Sequence, residues 1–515
     1  LTTPVSTSMR TSARSAYVPA APYEQLIGAD WIAGTGTFEA IDPSTGQPWA
    51  TLPQGSARDV DEAVRAARAA QRAWGRTTLD QRQTVLLAIA DRFEEQGERF
   101  APLLATENGR PIREAHLADL PTVCAIFRFF AGVVRSLNGE QIPVADPETL
   151  VYTRREPIGV VAAVLSWNSP LITLSNKLAP ALAGGNTVVV KPSEYATASV
   201  LEFLRLVADL LPPGVVNVVT GVGPETGAAL VGHPDIAKIT FTGGPATARA
   251  ILGAAAQTLT PSLMELGGKS AMIVAEDADL ERAVEDALMG IYLANGEACI
   301  AASRLLVHEK VHAEFVERFA ATARRIRVGD ALDPATEVGP LVSARQLELV
   351  RGHLDRARAE GVRFVTGDEP LDLPQDLADG YFQRPVLLAD DDGGSTISGT
   401  EVFGPVTVVQ KYRTDEEAVA RANSTPYGLA AGVWTSDLRR AHTVAAQLEA
   451  GIVWVNRWFD LAPGMPMGGV GESGFGRELS LETLREYTAV KSVNIGLGLQ
   501  RFPLWGQARS EEQGQ

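Results

Sequence analysis

Ile158-Gly159-Val160-Val161-Ala162-Ala163-Val164-Leu165 is an unbroken apolar run of strand length, and its alternation with the helical segments beyond it decides the fold. A polar break at Ser166-Trp167-Asn168-Ser169 leads into a helical pattern over about residues 174–183. Thr187-Val188-Val189-Val190 then reads as a second buried strand and residues 198–211 as a second helix. Val215-Val216-Asn217-Val218-Val219 and Ile236-Ala237-Lys238-Ile239-Thr240-Phe241 continue the series. Strands that are apolar on both faces, alternating with amphipathic helices, belong to a largely parallel sheet covered on both sides. The pattern predicts an α/β fold with a doubly wound dinucleotide-binding domain. A second series, Ala271-Met272-Ile273-Val274, Arg304-Leu305-Leu306-Val307 and Gly451-Ile452-Val453-Trp454-Val455, predicts a further α/β domain. There is no internal repeat.

The chain of 515 residues is 45% hydrophobic and 21% charged, enough for two or three domains. A formal net charge of −16 argues against nucleic acid or an anionic membrane as the main partner, since both call for a basic footprint. No apolar run seen in the sequence approaches the roughly 20 residues of a membrane span. A small-molecule partner is the expectation. Residues 1–20, rich in Ser, Thr, Ala and Pro, and the polar residues 499–515 read as disordered tails.

The chemistry-bearing stretch is Asn295-Gly296-Glu297-Ala298-Cys299-Ile300, downstream of Glu265-Leu266-Gly267-Gly268-Lys269-Ser270. A free thiol titrates near ~8.5, so a nucleophilic Cys needs a base, a positive charge or backbone dipoles nearby. Glu265 is a candidate base, and the two glycines after it let another backbone or a cofactor come close. A lone cysteine is more often a small buried hydrophobe, and Cys124, in Thr122-Val123-Cys124-Ala125-Ile126-Phe127, earns that reading. Two cysteines make no disulfide framework, and a nucleophilic Cys299 must stay reduced, so a cytoplasmic location is expected.

Two motifs are decoys. Gly221-Val222-Gly223-Pro224-Glu225-Thr226-Gly227 imitates the glycine fingerprint of pyrophosphate sites, but its spacing is one residue too long. Gly223 and Gly227 are read as turn and packing residues first and as weak cofactor contacts second. His308-Glu309-Lys310-Val311-His312 matches the H-E-x-x-H zinc pattern, yet His308 directly follows an apparent strand, so the pair is not expected to share one helical face. No metal is expected.

Further segments join Cys299 and Glu265: Ser166-Trp167-Asn168-Ser169-Pro170-Leu171, Lys191-Pro192-Ser193-Glu194, Phe241-Thr242-Gly243-Gly244, Glu401-Val402-Phe403-Gly404-Pro405, Asn423-Ser424-Thr425-Pro426-Tyr427-Gly428-Leu429 and Ser473-Gly474-Phe475-Gly476-Arg477-Glu478. In this order, from about residue 25 to about 495, they resemble the NAD(P)-dependent aldehyde dehydrogenase superfamily. The resemblance implies NAD as cofactor, with NADP as the alternative, and NAD-dependent oxidation of an aldehyde to the carboxylic acid through a thiohemiacetal and a thioester on Cys299. It implies Cys299 as nucleophile, Asn168 and the Cys299 N–H as oxyanion donors, and Glu265 as the base that activates water. Lys177 and Glu478 match positions that assist the cofactor ribose or a proton relay.

For the cofactor it implies Trp167, Lys191, Ser193, Glu194, Gly223, Gly227, Phe241, Gly244, Leu266, Gly267, Glu401 and Phe403. A carboxylate at Glu194 suits ribose hydroxyls and repels a 2′-phosphate, which favours NAD. For the aldehyde pocket it implies Ser169, Thr173, Leu293, Ala298, Ile300, Leu461 and Met467, with Phe127, Phe129 or Phe130 at the mouth. These are mostly apolar and favour a hydrophobic or aromatic aldehyde. Arg457 is the exception, suited to a semialdehyde carboxylate or to an acidic neighbour. Gly244 stands where the family commonly has Ser, and Gly471 where Lys is frequent.

The implied domains are residues 21–138 and 158–263 for NAD, 264–470 for catalysis, and strands in 139–157 and 486–498 for assembly into a homodimer or homotetramer. The alternatives are a semialdehyde or CoA-acylating aldehyde dehydrogenase, and a catalytically idle structural protein on the same fold.

Overall fold

The computed structural model describes residues 22–498, so the expected tails lie outside the described residues. Six strands form the first sheet, in the order Gly474–Phe475, Ser262–Leu266, Lys238–Gly243, Val160–Val164, Thr187–Lys191, Val216–Val218. All neighbours are parallel except Gly474–Phe475, which runs antiparallel to Ser262–Leu266. Val160–Val164 and Thr187–Lys191 are buried throughout, as unbroken apolar runs require. From Val160–Val164 the chain winds one way, through helix Pro170–Ala183 to Thr187–Lys191. From the adjacent Lys238–Gly243 it winds the other way, through helix Pro245–Thr258 to Ser262–Leu266. That reversal opens a crevice beyond the carboxyl ends of these two strands. The helix after Asn168 begins at Pro170, four residues before the expected start, because proline at the first helical position loses no hydrogen bond.

Seven strands form the second sheet, in the order Arg363–Thr366, Val386–Ala389, Val406–Tyr412, Arg304–His308, Ala271–Val274, Ala430–Trp434, Ile452–Val455. Only Arg363–Thr366 is antiparallel. Because Ser262–Leu266 is a complete strand of the first sheet, the chain passes between sheets at Gly267-Gly268-Lys269-Ser270. The boundary expected at 263/264 cuts that strand, and the C-terminal Gly474–Phe475 returns to the first sheet.

Residues Ile112–Ser136 form a continuous helical segment of 25 residues, apolar enough to pass a length-and-composition test for a membrane span. This corrects the reading that no run approaches that length. Its Phe127 and Phe130 are fully buried, Phe127 stacks on Phe203, and the segment packs on helices Leu79–Gln96 and Pro170–Ala183, so it serves as a core helix. A third sheet lies outside both domains. In it Thr149–Pro157 pairs antiparallel with Thr488–Gly496 on one side and Gln141–Ile142 on the other.

Candidate active site

Three consecutive left-handed residues, Ala294 (φ 55°), Asn295 (φ 60°) and Gly296 (φ 73°), set the backbone that presents Cys299. Such a run is strained and must be held from outside. The Asn295 side chain donates to the carbonyls of Gly109 and Pro340, both at 2.9 Å, and accepts from Gly339 N at 2.7 Å. A Cβ on Gly296 would lie 2.2 Å from the Gly404 carbonyl oxygen, so only glycine fits. The turn after Glu265 passes directly beneath: a Cβ on Gly268 would lie 2.9 Å from the Cys299 carbonyl oxygen. Thus the two signatures meet in space, and Cys299 is half-buried on the wall of a cavity of about 430 Å³. Burial pushes its thiol up to about 12, and the carboxylates of Glu265 and Glu401 add to the rise.

Asn168 enters from the first sheet, at the end of Val160–Val164. Its Nδ2 donates to the Glu297 carbonyl at 2.8 Å and its Oδ1 accepts from Ser166 Oγ at 2.8 Å, which fixes the amide beside Cys299 with one N–H to spare. Behind it lies Arg110, which sequence reasoning missed. Its Nη2 donates to the Asn168 carbonyl at 2.8 Å and to Ser169 Oγ at 2.6 Å. Its other nitrogens lie 3.6 Å from Glu114 and 3.4 Å from Asp119, and Glu114 in turn accepts from Ala294 N at 2.9 Å. One buried network therefore couples the Asn168 loop to the Cys299 loop. Glu107-Asn108-Gly109-Arg110, polar at the end of the apolar helix Phe100–Asn108, is the signal that could have found it.

Glu265 is buried, and neither carboxylate oxygen has a hydrogen-bond partner among the described residues. Desolvation and the nearby Glu478 carboxylate hold it well above the usual carboxylate range. Lys177 Nζ lies 2.6 Å from Glu478 Oε1 and 2.7 Å from Thr242 Oγ1, a fully buried pair that Asn176 Nδ2 completes at 3.2 Å from Glu478 Oε2.

Trp167, Gly244, Leu266, Gly267, Glu401 and Phe403 line the same cavity. Trp167 and Phe403 meet edge to face at 5.3 Å, and Phe403 is held in a left-handed conformation (φ 54°) with its carbonyl accepting from Gln346 at 2.7 Å. Glu401 accepts from Gly268 N at 2.8 Å, and burial pushes it up to about 7. A Cβ on Gly267 would lie 2.0 Å from the Glu401 carboxylate, whereas one on Gly244 would meet nothing within 4 Å. The first glycine is demanded by packing; the second leaves open space at the crevice.

Lys191, Ser193, Glu194, Gly223 and Gly227 are not part of the cavity wall but follow the next two strands along the same sheet edge. Lys191 Nζ lies 3.6 Å from Glu194 Oε2, and a Cβ on Gly227 would lie 3.9 Å from Lys191 Cε. Ser193 Oγ accepts from Tyr195 N at 3.3 Å in a local turn, and Gly223–Gly227 forms a wide helical turn with open space over Gly223. Phe241 is core: a Cβ on Gly243 would strike its ring at 2.4 Å.

Ser169, Thr173, Leu293, Ala298, Ile300, Leu461 and Met467 all line the cavity, joined by Asp119, Thr122, Asn176, Phe459 and Pro463, which sequence reasoning did not name. Of its two expected roles Arg457 takes the acidic neighbour and not a place in the aldehyde pocket. It lies in a surface groove with Arg282, Asp286 and Asn456 and pairs with Asp460 at 2.5 Å, its side chain 62% exposed. Phe127, Phe129 and Phe130 are likewise absent from the wall; the first and last are core, and Phe129 packs on Phe130. In the zinc-like motif, His308 caps helix Glu309–Ala323 through Lys310 N at 3.3 Å, its Nε2 3.1 Å from the Arg413 carbonyl.

The sequence profile of the aldehyde dehydrogenase family matches residues 31–493. The chain belongs to the aldehyde dehydrogenase family. A crystal structure from Burkholderia cenocepacia, of a protein assigned as an aldehyde dehydrogenase, is 42% identical with a TM-score of 0.92, covering 94% of this chain and 99% of that one. PnpE from Pseudomonas sp. WBC-3 is 41% identical with a TM-score of 0.92, over 94% and 100% of the two chains. Betaine aldehyde dehydrogenase from Staphylococcus aureus, in complex with NAD+, is 33% identical with a TM-score of 0.94, over 97% and 99%. The chain is accordingly an enzyme, an oxidoreductase of the aldehyde dehydrogenase class.

Proposed function

We propose that the chain oxidises a hydrophobic or aromatic aldehyde to the carboxylic acid with NAD as oxidant. The observation that carries this reading is the convergence of Cys299, the Asn168 amide and the unpartnered Glu265 carboxylate on one largely apolar cavity. Structures of PnpE and of betaine aldehyde dehydrogenase in complex with NAD+ support the cofactor. The residues here fit it: open space over Gly244, a Glu401 carboxylate held by Gly268 N, and Trp167 and Phe403 flanking the same crevice. Glu194 and Lys191 suit the adenosine ribose. NAD supplies a two-electron acceptor.

Cys299 gives up its thiol proton to solvent as Sγ attacks the carbonyl carbon, and the oxyanion takes N–H donation from Asn168 Nδ2 and the Cys299 backbone, each donor worth roughly 3–4 kcal/mol. The tetrahedral adduct loses its hydride and becomes a thioester on Cys299. Glu265 then takes a proton from water, which attacks the thioester and releases the acid and the thiol. The buried Lys177–Glu478 pair gives that proton a path away from Glu265. A base beside the thioester favours water over CoA as acceptor. A free thiol at Cys299 suits a reducing, cytoplasmic setting.

The third sheet carries Val490 and Ile495, 58% and 39% exposed, and Leu497 just beyond it, 65% exposed. An apolar strand of this kind is normally covered, and self-association into a dimer or tetramer would cover it. The test of the whole reading is NADH absorbance with NAD and a panel of aliphatic, aromatic and carboxylated aldehydes, Cys299→Ala serving as control. Signal that disappears in the variant supports the reading. Silence across the panel with NAD bound would overturn the substrate class, and silence without NAD binding would overturn the function.

A further inference from the structure

Cys299 and Ile300 are the central residues of a turn that Ala301 N closes by donating to the Ala298 carbonyl at 3.1 Å. The Ile300 N–H donates to the Cys299 sulfur and opposes the upward push on its thiol. The orientation of Ile300 therefore bears on the nucleophile, and its buried carbonyl needs a donor. That donor comes from far along the chain: Trp458 Nε1 donates to it at 3.0 Å.

Trp458 has little latitude. It is buried and packs on Trp454 with 4.9 Å between ring centres. Two glycines shape its slot: a Cβ on Gly432 would lie 2.7 Å from the ring, and one on Gly290 3.2 Å from it. The Gly290 carbonyl also accepts from Ala302 N at 2.7 Å, which holds the chain leaving the turn. Nearby, Asn456 (φ 53°) and Phe459 (φ 57°) are both left-handed, a conformation that persists only where the surroundings impose it. Asn456 exchanges two hydrogen bonds with Thr435, each 2.9 Å. Phe459 and Leu461 of the same loop line the aldehyde cavity, so one indole ties the cavity wall to the nucleophile turn.

Resting on the aldehyde oxidation argued above, we infer that Trp458 is a positioning residue for Cys299: its indole N–H, held by the loop that walls the aldehyde cavity, fixes Ile300 and through it the sulfur.

The test reads rate constants, which report on the folded fraction while partial unfolding lowers only the amplitudes. Trp458→Phe removes the donor, and β-(3-benzothienyl)alanine incorporated in place of Trp458 removes it with the ring shape kept. Both should cut the first-turnover rate constant for NADH formation, at saturating NAD and aldehyde, by about 10-fold or more, since small misplacements of a reacting atom weigh heavily on rate. Both should also slow the alkylation of Cys299 by iodoacetamide at fixed pH in the cofactor-free protein. A packing role alone gives the opposite sign there, because a loosened turn exposes the thiol. Trp454→Phe, which takes a donor from the Asp460 carbonyl in the same core, should keep both rates. Alkylation at or above the wild-type rate, a first-turnover rate constant unchanged in the benzothienylalanine protein, or an equal fall in Trp454→Phe would overturn the inference while leaving aldehyde oxidation intact. No NADH from the wild-type protein with any aldehyde, with NAD bound, would instead remove the underlying reading and this inference with it.

Discussion

With its thiol pushed up to about 12, Cys299 is protonated at neutral pH in the cofactor-free protein, and its reactivity is set by the proton it must lose. Alkylation of Cys299 by iodoacetamide, followed by mass spectrometry, should therefore climb steadily through pH 9; a plateau near the ordinary thiol value of ~8.5 would contradict this. For Glu265 the sign runs the other way. A carboxyl held high by burial and by Glu478 is protonated as pH falls, so the base is lost on the acid side. The acid limb of kcat should sit well above the ordinary ~4.3 of a glutamate. Asn168→Ala should lower kcat by about 10²- to 10³-fold, the loss of one oxyanion donor, with a smaller change in KM. Cys299, Glu265 and Asn168 were legible in the sequence because each sits in a short motif whose chemistry demands that residue type. Arg457 stayed open between two roles for the opposite reason: a lone arginine carries no direction, and here it turns to Asp460 at the surface.

Two loops make the site, and both depend on elements far away in sequence. Arg110 holds the Asn168 loop directly and the Cys299 loop through Glu114 and Ala294 N. Arg110→Met should leave Glu114 and Asp119 buried without their cation, destabilising the fold by about 3–5 kcal/mol in denaturant unfolding and lowering kcat in the fraction that folds. Gly267→Ala would force the Glu401 carboxylate from its place, since the added carbon would lie 2.0 Å from it. NAD affinity, read by quenching of tryptophan fluorescence, should fall about 10-fold or more, and an unchanged affinity would remove Glu401 from the cofactor site. The parallel strands were readable as apolar runs, and the crevice followed from their order. Asp119 and Asn176 were not readable, because a buried polar side chain on a helix gives the same local pattern whether it faces a cavity or a neighbouring strand.

At the scale of the molecule, two sheets meet at the Gly267-Gly268-Lys269-Ser270 passage, and the cavity lies where the carboxyl end of the first reaches the Cys299 loop of the second. The division into a dinucleotide domain and a second α/β domain was visible in the two series of strands. The helical segment Ile112–Ser136 shows the limit of composition: its length and apolarity suit a membrane, and only its packing on neighbouring helices makes it a core element. The third sheet should mediate self-association, so Val490→Lys with Ile495→Lys should shift the protein to a smaller species in size-exclusion chromatography with light scattering. An unchanged mass would place the interface elsewhere.

In the proposed mechanism the aldehyde carbon is carried on Cys299 and released by water that Glu265 activates. The direct measurement mixes Glu265→Gln protein with NAD and aldehyde, quantifies NADH in the first turnover, and weighs the intact chain. One NADH per active site is expected, then near arrest, with the chain heavier by the aldehyde less two hydrogens and the added mass on Cys299. NADH formed without a covalent adduct, or steady turnover at the wild-type rate, would contradict it.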